Sequence, residues 1–177
     1  MLGGACWVVK GGSILLTGIQ PPFLFEVAPV LFAFGLVGLH TRFIGGGGIP
    51  AGIGLTLAIL SGGLAVGPLV SNAPSSEDFS PVIFGAFISN FAALIFLGIV
   101  TRRIGAFPAP WRSLPLAMGM LTFPLLAVGG ALETISERLL ELPLLVIAVA
   151  WIWTGYLILA SPVTSSALRI TPAMPRL

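Results

Sequence analysis

Apolar residues run in six long stretches along the chain, at 2–19, 23–40, 49–70, 81–100, 114–132 and 143–160, and polar residues crowd into the short segments between them. Within each stretch the apolar positions fall on both odd and even residues, which excludes the alternation of a membrane β-strand and leaves helix. A helix rises about 1.5 Å per residue and the hydrocarbon core is about 30 Å thick, so each stretch predicts one crossing. The Pro21-Pro22 pair stops the first, because proline breaks a helix and pushes the residue before it out of the α region. The expected fold is all-α and polytopic, with about six transmembrane helices in one domain over 1–160 and a short cytoplasmic tail at 161–177.

The second helix of each successive pair opens with an acid and a proline: Glu26 and Pro29, Asp78 and Pro81, Glu141 and Pro143. An acid complements the positive end of the helix dipole and proline suits the first turn, so the chain reads as three consecutive helical hairpins. "VGLHTR" and "LGIVTR" end the first two of these helices alike. A cleavable leader is the competing reading of the first stretch, but only "QPPFLFE" follows it, with no small-residue cleavage site. That stretch is expected to stay in the membrane.

Composition agrees with this reading: 56% of the residues are hydrophobic and 8% charged, with mean hydropathy +1.09, whereas soluble domains carry roughly a quarter charged residues. The net charge of +2 is scattered, which argues against a nucleic-acid surface. A single cysteine, Cys6, forms neither an internal disulfide nor a zinc site. Lys10 is the only lysine beside seven arginines, and with 23 Gly and 15 Pro this bias is associated with GC-rich prokaryotic genomes. The expected location is therefore a prokaryotic inner membrane.

Arg42 falls between stretches two and three, Arg102, Arg103 and Arg112 between four and five, and Arg169 and Arg176 in the tail. The opposite segments hold Glu26, then Glu77 and Asp78, then Glu133, Glu137 and Glu141 around Arg138. Short cytoplasmic loops are rich in Lys and Arg, so both termini are expected to be cytoplasmic. Arg102, Arg103, Trp111 and Arg112 in "TRRIGAFPAPWR" are expected to touch lipid headgroups.

Helices in lipid associate where small residues let backbones approach. Gly54, Ala58 and Gly62 recur at four-residue spacing, Gly63 and Gly67 make a second pair, and Gly85, Ser89 and Ala93 a third set; all are expected packing positions. The glycine run at Gly45 to Gly48 has no strand before it and no Lys-Ser or Lys-Thr after it, so it reads as a turn and not a phosphate loop.

Too few residues separate Lys10 from the double proline for a crossing to begin there, which places it near mid-depth. Insertion scales set such a charge at about 2.5–3.5 kcal/mol, so a compensating partner is required. Ser13 and Thr17 follow on the same helical face. In a tight hairpin Lys10 faces Phe32, Glu26 lies about 9 Å nearer the outside, and Asn90 sits at similar depth on the fourth stretch. An intramembrane polar cluster of Lys10, Ser13, Thr17, Glu26 and Asn90 is expected, with Lys10 paired to Glu26 or Asn90. Snorkelling to the headgroups, an anion or proton site and a contact with another subunit all remain open as roles for Lys10.

His40, the only histidine, offers one axial position for a haem or chlorophyll, but its place beside Arg42 reads foremost as an interfacial residue at a helix C-terminus. No cofactor or metal is implied, and no nucleophile stands with a base and an orienting group. Glu133, Glu137 and Glu141 are spaced by fours in "ETISERLLEL" and read as one solvated helix face. Pro68 and Pro124 read as kinks or as breaks around a site. No transporter, rhomboid, oxidase or rhodopsin signature is present. Two functions fit: a non-enzymatic accessory, structural or assembly subunit of a larger inner-membrane complex, touching lipid and other membrane subunits or itself; or a small transporter or channel whose path passes the Lys10 cluster.

Overall fold

The computed structural model describes residues 1–45, 48–70 and 81–162, and these hold six long helices and no strand. They are α1 (Leu2–Thr17), α2 (Leu24–Leu39), α3 (Gly48–Val70), α4 (Pro81–Ile104), α5 (Leu114–Glu133) and α6 (Glu141–Ala160). The expectations for Glu77, Asp78, Arg169, Arg176, the middle of the glycine run and the surroundings of Pro68 lie outside the described residues. With their flanking turns, α2 to α6 are long and apolar enough to cross a membrane. Helix α1 is apolar but has 16 residues, about 24 Å, and unlike α2, also of 16 residues, it has no helical turn extending it.

Local chemistry explains the boundaries. Helix α1 ends at Gly18, whose φ of 75° lets its N–H bond the carbonyl of Ile14 at 2.8 Å, a conformation that glycine adopts without a Cβ penalty. Helix α2 continues into a π-helical turn over His40–Ile44, closed by a bond from the Gly45 N–H to the His40 carbonyl at 3.0 Å. Short 3₁₀ turns at Ala109–Trp111 and Glu137–Leu140 lead into α5 and α6. Helix α5 runs continuously through Pro124, so that proline does not split it.

Each helix packs on its neighbours in sequence, and α1 packs on α6, which closes the bundle into a ring. Helix α2 also touches α4 and α6. The core is aromatic: Trp151 stacks on Phe32 with ring centres 4.3 Å apart, Phe32 meets Trp7 edge-on at 5.3 Å, and Trp7 lies 5.3 Å from Phe87. Helix α4 is the most enclosed, while α3 and α5 turn most of their surface outward.

Small residues set the closest approaches. A Cβ at Gly119 would stand 2.9 Å from the Ile95 nitrogen and 3.0 Å from the Phe91 carbonyl oxygen, so only glycine lets α5 lie this close to α4. Gly54 faces Leu97, Ala58 is fully enclosed, Gly62 faces Ala33, and Gly85 faces Leu64. Ser89 and Ala93 are buried on α4. Gly63 and Gly67 have nothing within 4 Å of where a Cβ would stand, so this pair sets no close approach among the described residues. Gly63 instead lines a shallow apolar groove of about 140 Å³ between α2 and α3, together with Val30, Ala58 and Val66.

Two ends of different charge result. The Arg42 guanidinium donates to the carbonyls of Leu159 (3.3 Å) and Ser161 (3.1 Å) at the end of α6, and Phe43 meets Phe107 at 5.7 Å. These contacts gather Arg42, Arg102, Arg103 and Arg112 at one end. The start of α2, the end of α5 and the start of α6 bring Glu26, Glu133, Glu137 and Glu141 to the other.

Candidate functional site

Helix α1 runs antiparallel to both α2 and α6. Near its start Gly3 lies against Ala28 and Phe32, and Gly4 against Ala148 and Ile152; further on, Gly11 lies against Glu141 and Leu145. From Gly3 to Lys10 the helix rises about 10 Å, which carries the lysine to the first turns of α2 and α6. The hairpin register expected from sequence, with Lys10 opposite Phe32 at mid-depth, is therefore corrected by about two turns. Phe25, not Phe32, is its aromatic neighbour: the ammonium stands 5.3 Å from that ring centre, within cation–π range.

The partner of Lys10 is Glu141. The Nζ donates to Oε1 at 2.7 Å, and the two residues are only 5% and 4% exposed. Glu141 is the first residue of α6, where the helix dipole favours a negative charge. Gly11 provides the room: a Cβ there would stand 3.2 Å from Glu141 Oε2 and 3.0 Å from Leu145. Oε2 itself is buried and makes no hydrogen bond with the described residues. The pair thus neutralises both charges at the contact that closes the ring of helices.

Of the other expected members, Glu26 shares this end of the bundle with Lys10, in the turn of α2 that holds Phe25, while Ser13, Thr17 and Asn90 make contacts of their own. Ser13 donates to the Ile19 carbonyl (2.9 Å) and Thr17 to the Ser13 carbonyl (2.8 Å), so both satisfy the backbone where α1 ends. Glu26 is buried in the first turn of α2. Asn90, with no exposed surface, donates to the Pro29 carbonyl (3.2 Å) and to Ser61 Oγ (3.0 Å); Ser61 donates in turn to the Ala86 carbonyl (2.7 Å). This second polar centre ties α2, α3 and α4 together and does not include Lys10.

His40 is 8% exposed and opens the π-helical turn that follows α2, so it is buried against the protein at a helix end. Its Nδ1 has no hydrogen-bond partner among the described residues, and no group of three His, Cys, Asp or Glu side chains able to hold a metal ion forms among them.

Glu141 and Ser61 are the residues that reading the sequence missed. The spacing of Glu133, Glu137 and Glu141 by fours concealed a break: α5 stops at Glu133, a 3₁₀ turn intervenes, and α6 starts at Glu141. Glu133 and Glu137 are exposed while Glu141 faces inward. The acid-and-proline start of α6 was the available signal for Glu141. For Ser61 it was a hydroxyl amid the apolar residues of α3.

No family model, curated protein or solved structure matches this chain, so a functional reading rests on the residues themselves.

Proposed function

We propose that the chain is a non-enzymatic multi-pass membrane protein that serves as an accessory or assembly subunit of a larger inner-membrane complex. The observation that carries this reading is the use of the buried polar groups. Lys10 is held by Glu141 at 2.7 Å, Asn90 by Pro29 and Ser61, and Ser13 and Thr17 by nearby carbonyls. Each set joins helices or ends one, which is a structural use of these groups. Transport past a chain of polar groups is therefore the less favoured reading. The outward apolar surfaces of α3 and α5 leave room for neighbouring membrane subunits.

The gathering of Arg42, Arg102, Arg103 and Arg112 at one end supports an orientation with that end in the cytoplasm. Met1 lies against Gly155 in the half of α6 nearer the same end, which supports a cytoplasmic N-terminus in that orientation. The test is extraction of native membranes in a mild detergent, native-gel separation and mass spectrometry of what travels with the chain. A defined complex is the expected result. Migration alone, together with solute flux in liposomes that is lost in Lys10→Met, would overturn the reading in favour of transport.

A further inference from the structure

We propose that the arginine-rich end carries a binding site for the headgroup of an anionic phospholipid, built jointly by the segment from α4 to α5 and by the last turns of α6. The inference rests on three independent features of that end.

The first is charge with no described acid beside it. Arg102 and Arg103 are exposed in the last turn of α4, and Arg112 is exposed just before α5. The four described acids all lie at the opposite end, so no described acid neutralises these three arginines. Arg42, the other arginine here, is engaged with the end of α6.

The second is an aromatic platform that tertiary packing assembles. Trp111 meets Trp153 of α6 with ring centres 5.3 Å apart, and Trp153 meets Tyr156 at 5.2 Å. All three remain outward, at 39%, 39% and 48% exposure. Amphipathic rings of this kind settle at the headgroup level of a bilayer.

The third is how they are joined. The Arg112 guanidinium lies over Gly105, within 3.9 Å of where a Cβ would stand, so it folds back toward the end of α4 that carries Arg102 and Arg103. Trp111, the residue before it, holds this segment against α6. A bidentate arginine fork suits a phosphodiester, and the rings beside it suit the glycerol and upper acyl region. A lipid supplies both groups at one depth. A soluble phosphate supplies only the first.

The proposal is tested with the full chain in nanodiscs of phosphatidylcholine. A small fraction of brominated phosphatidylglycerol is compared with the same fraction of brominated phosphatidylcholine as quencher of tryptophan fluorescence. Trp7 and Trp151 are buried in the core, so the exposed Trp111 and Trp153 dominate the response. Expected is a several-fold preference for phosphatidylglycerol, consistent with about fivefold per arginine near an anionic surface, falling to none in Arg102→Gln/Arg103→Gln/Arg112→Gln. Single Arg103→Gln and Arg112→Gln variants should give intermediate values, which keeps the test open if the triple variant folds poorly. Equal quenching by the two lipids would overturn the proposal, as would a preference that survives loss of the arginines. Displacement of the lipid by millimolar glycerol phosphate would overturn it too, in favour of a soluble phosphoester.

Discussion

Breaking the Lys10–Glu141 pair from one side should be far more damaging than removing it whole. At 2.7 Å, two unit charges attract by about 6 kcal/mol at an effective dielectric constant of about 20. Desolvation of both groups consumes most of that, so the net stabilisation by the intact pair is small, but a single survivor keeps its desolvation cost with no attraction to offset it. Lys10→Met and Glu141→Leu are each expected to destabilise the bundle by about 3–5 kcal/mol, whereas the double variant, with apolar side chains of similar volume, should lie within about 2 kcal/mol of the parent. The coupling energy is then at least about 4 kcal/mol. Equilibrium unfolding in mixed micelles of rising dodecyl sulfate fraction measures it, with the fluorescence of buried Trp7 and Trp151 as the signal. Additivity of the two variants within about 0.5 kcal/mol would refute the pairing. So would rescue of Lys10→Met by Glu26→Leu in place of Glu141→Leu, since it would make Glu26 the acid that balances the lysine.

The second polar centre and the close contact of α4 with α5 give two further expectations. Asn90→Leu removes hydrogen bonds to the Pro29 carbonyl and Ser61 Oγ and should cost about 2 kcal/mol in the same unfolding assay, less in a Ser61→Ala background. Gly119→Ala drives a methyl group toward the Phe91 carbonyl and the Ile95 nitrogen and should cost about 1–3 kcal/mol, while Gly63→Ala meets nothing within 4 Å and should be neutral or gain up to about 1 kcal/mol of helix propensity. Equal effects at the two glycines would show that α4 and α5 do not approach as described.

The number and extent of the helices were written into the chain by length and hydropathy alone. An apolar run near twenty residues has few ways to satisfy its backbone other than as a helix, and Pro21-Pro22, Pro81 and Gly18 mark where helices start or stop for reasons local to those residues. The presence of a costly lysine in α1 that needed compensation was equally legible. Its partner was not. Glu141 lies 131 residues away, and which of the six acids meets Lys10 depends on how far α1 slides along α2 and α6. That sliding is decided by where Gly3, Gly4 and Gly11 let neighbouring backbones and side chains come close. A lipid-like core favours no particular register through hydrophobicity, since every apolar side chain is satisfied in each of them, so the fit of small residues against large ones and the one short ion pair make the choice. The same holds at the other end. The arginines can be read from the sequence, but the meeting of Trp111 with Trp153 and Tyr156 exists only because the ring of helices brings α6 beside the segment that leads into α5.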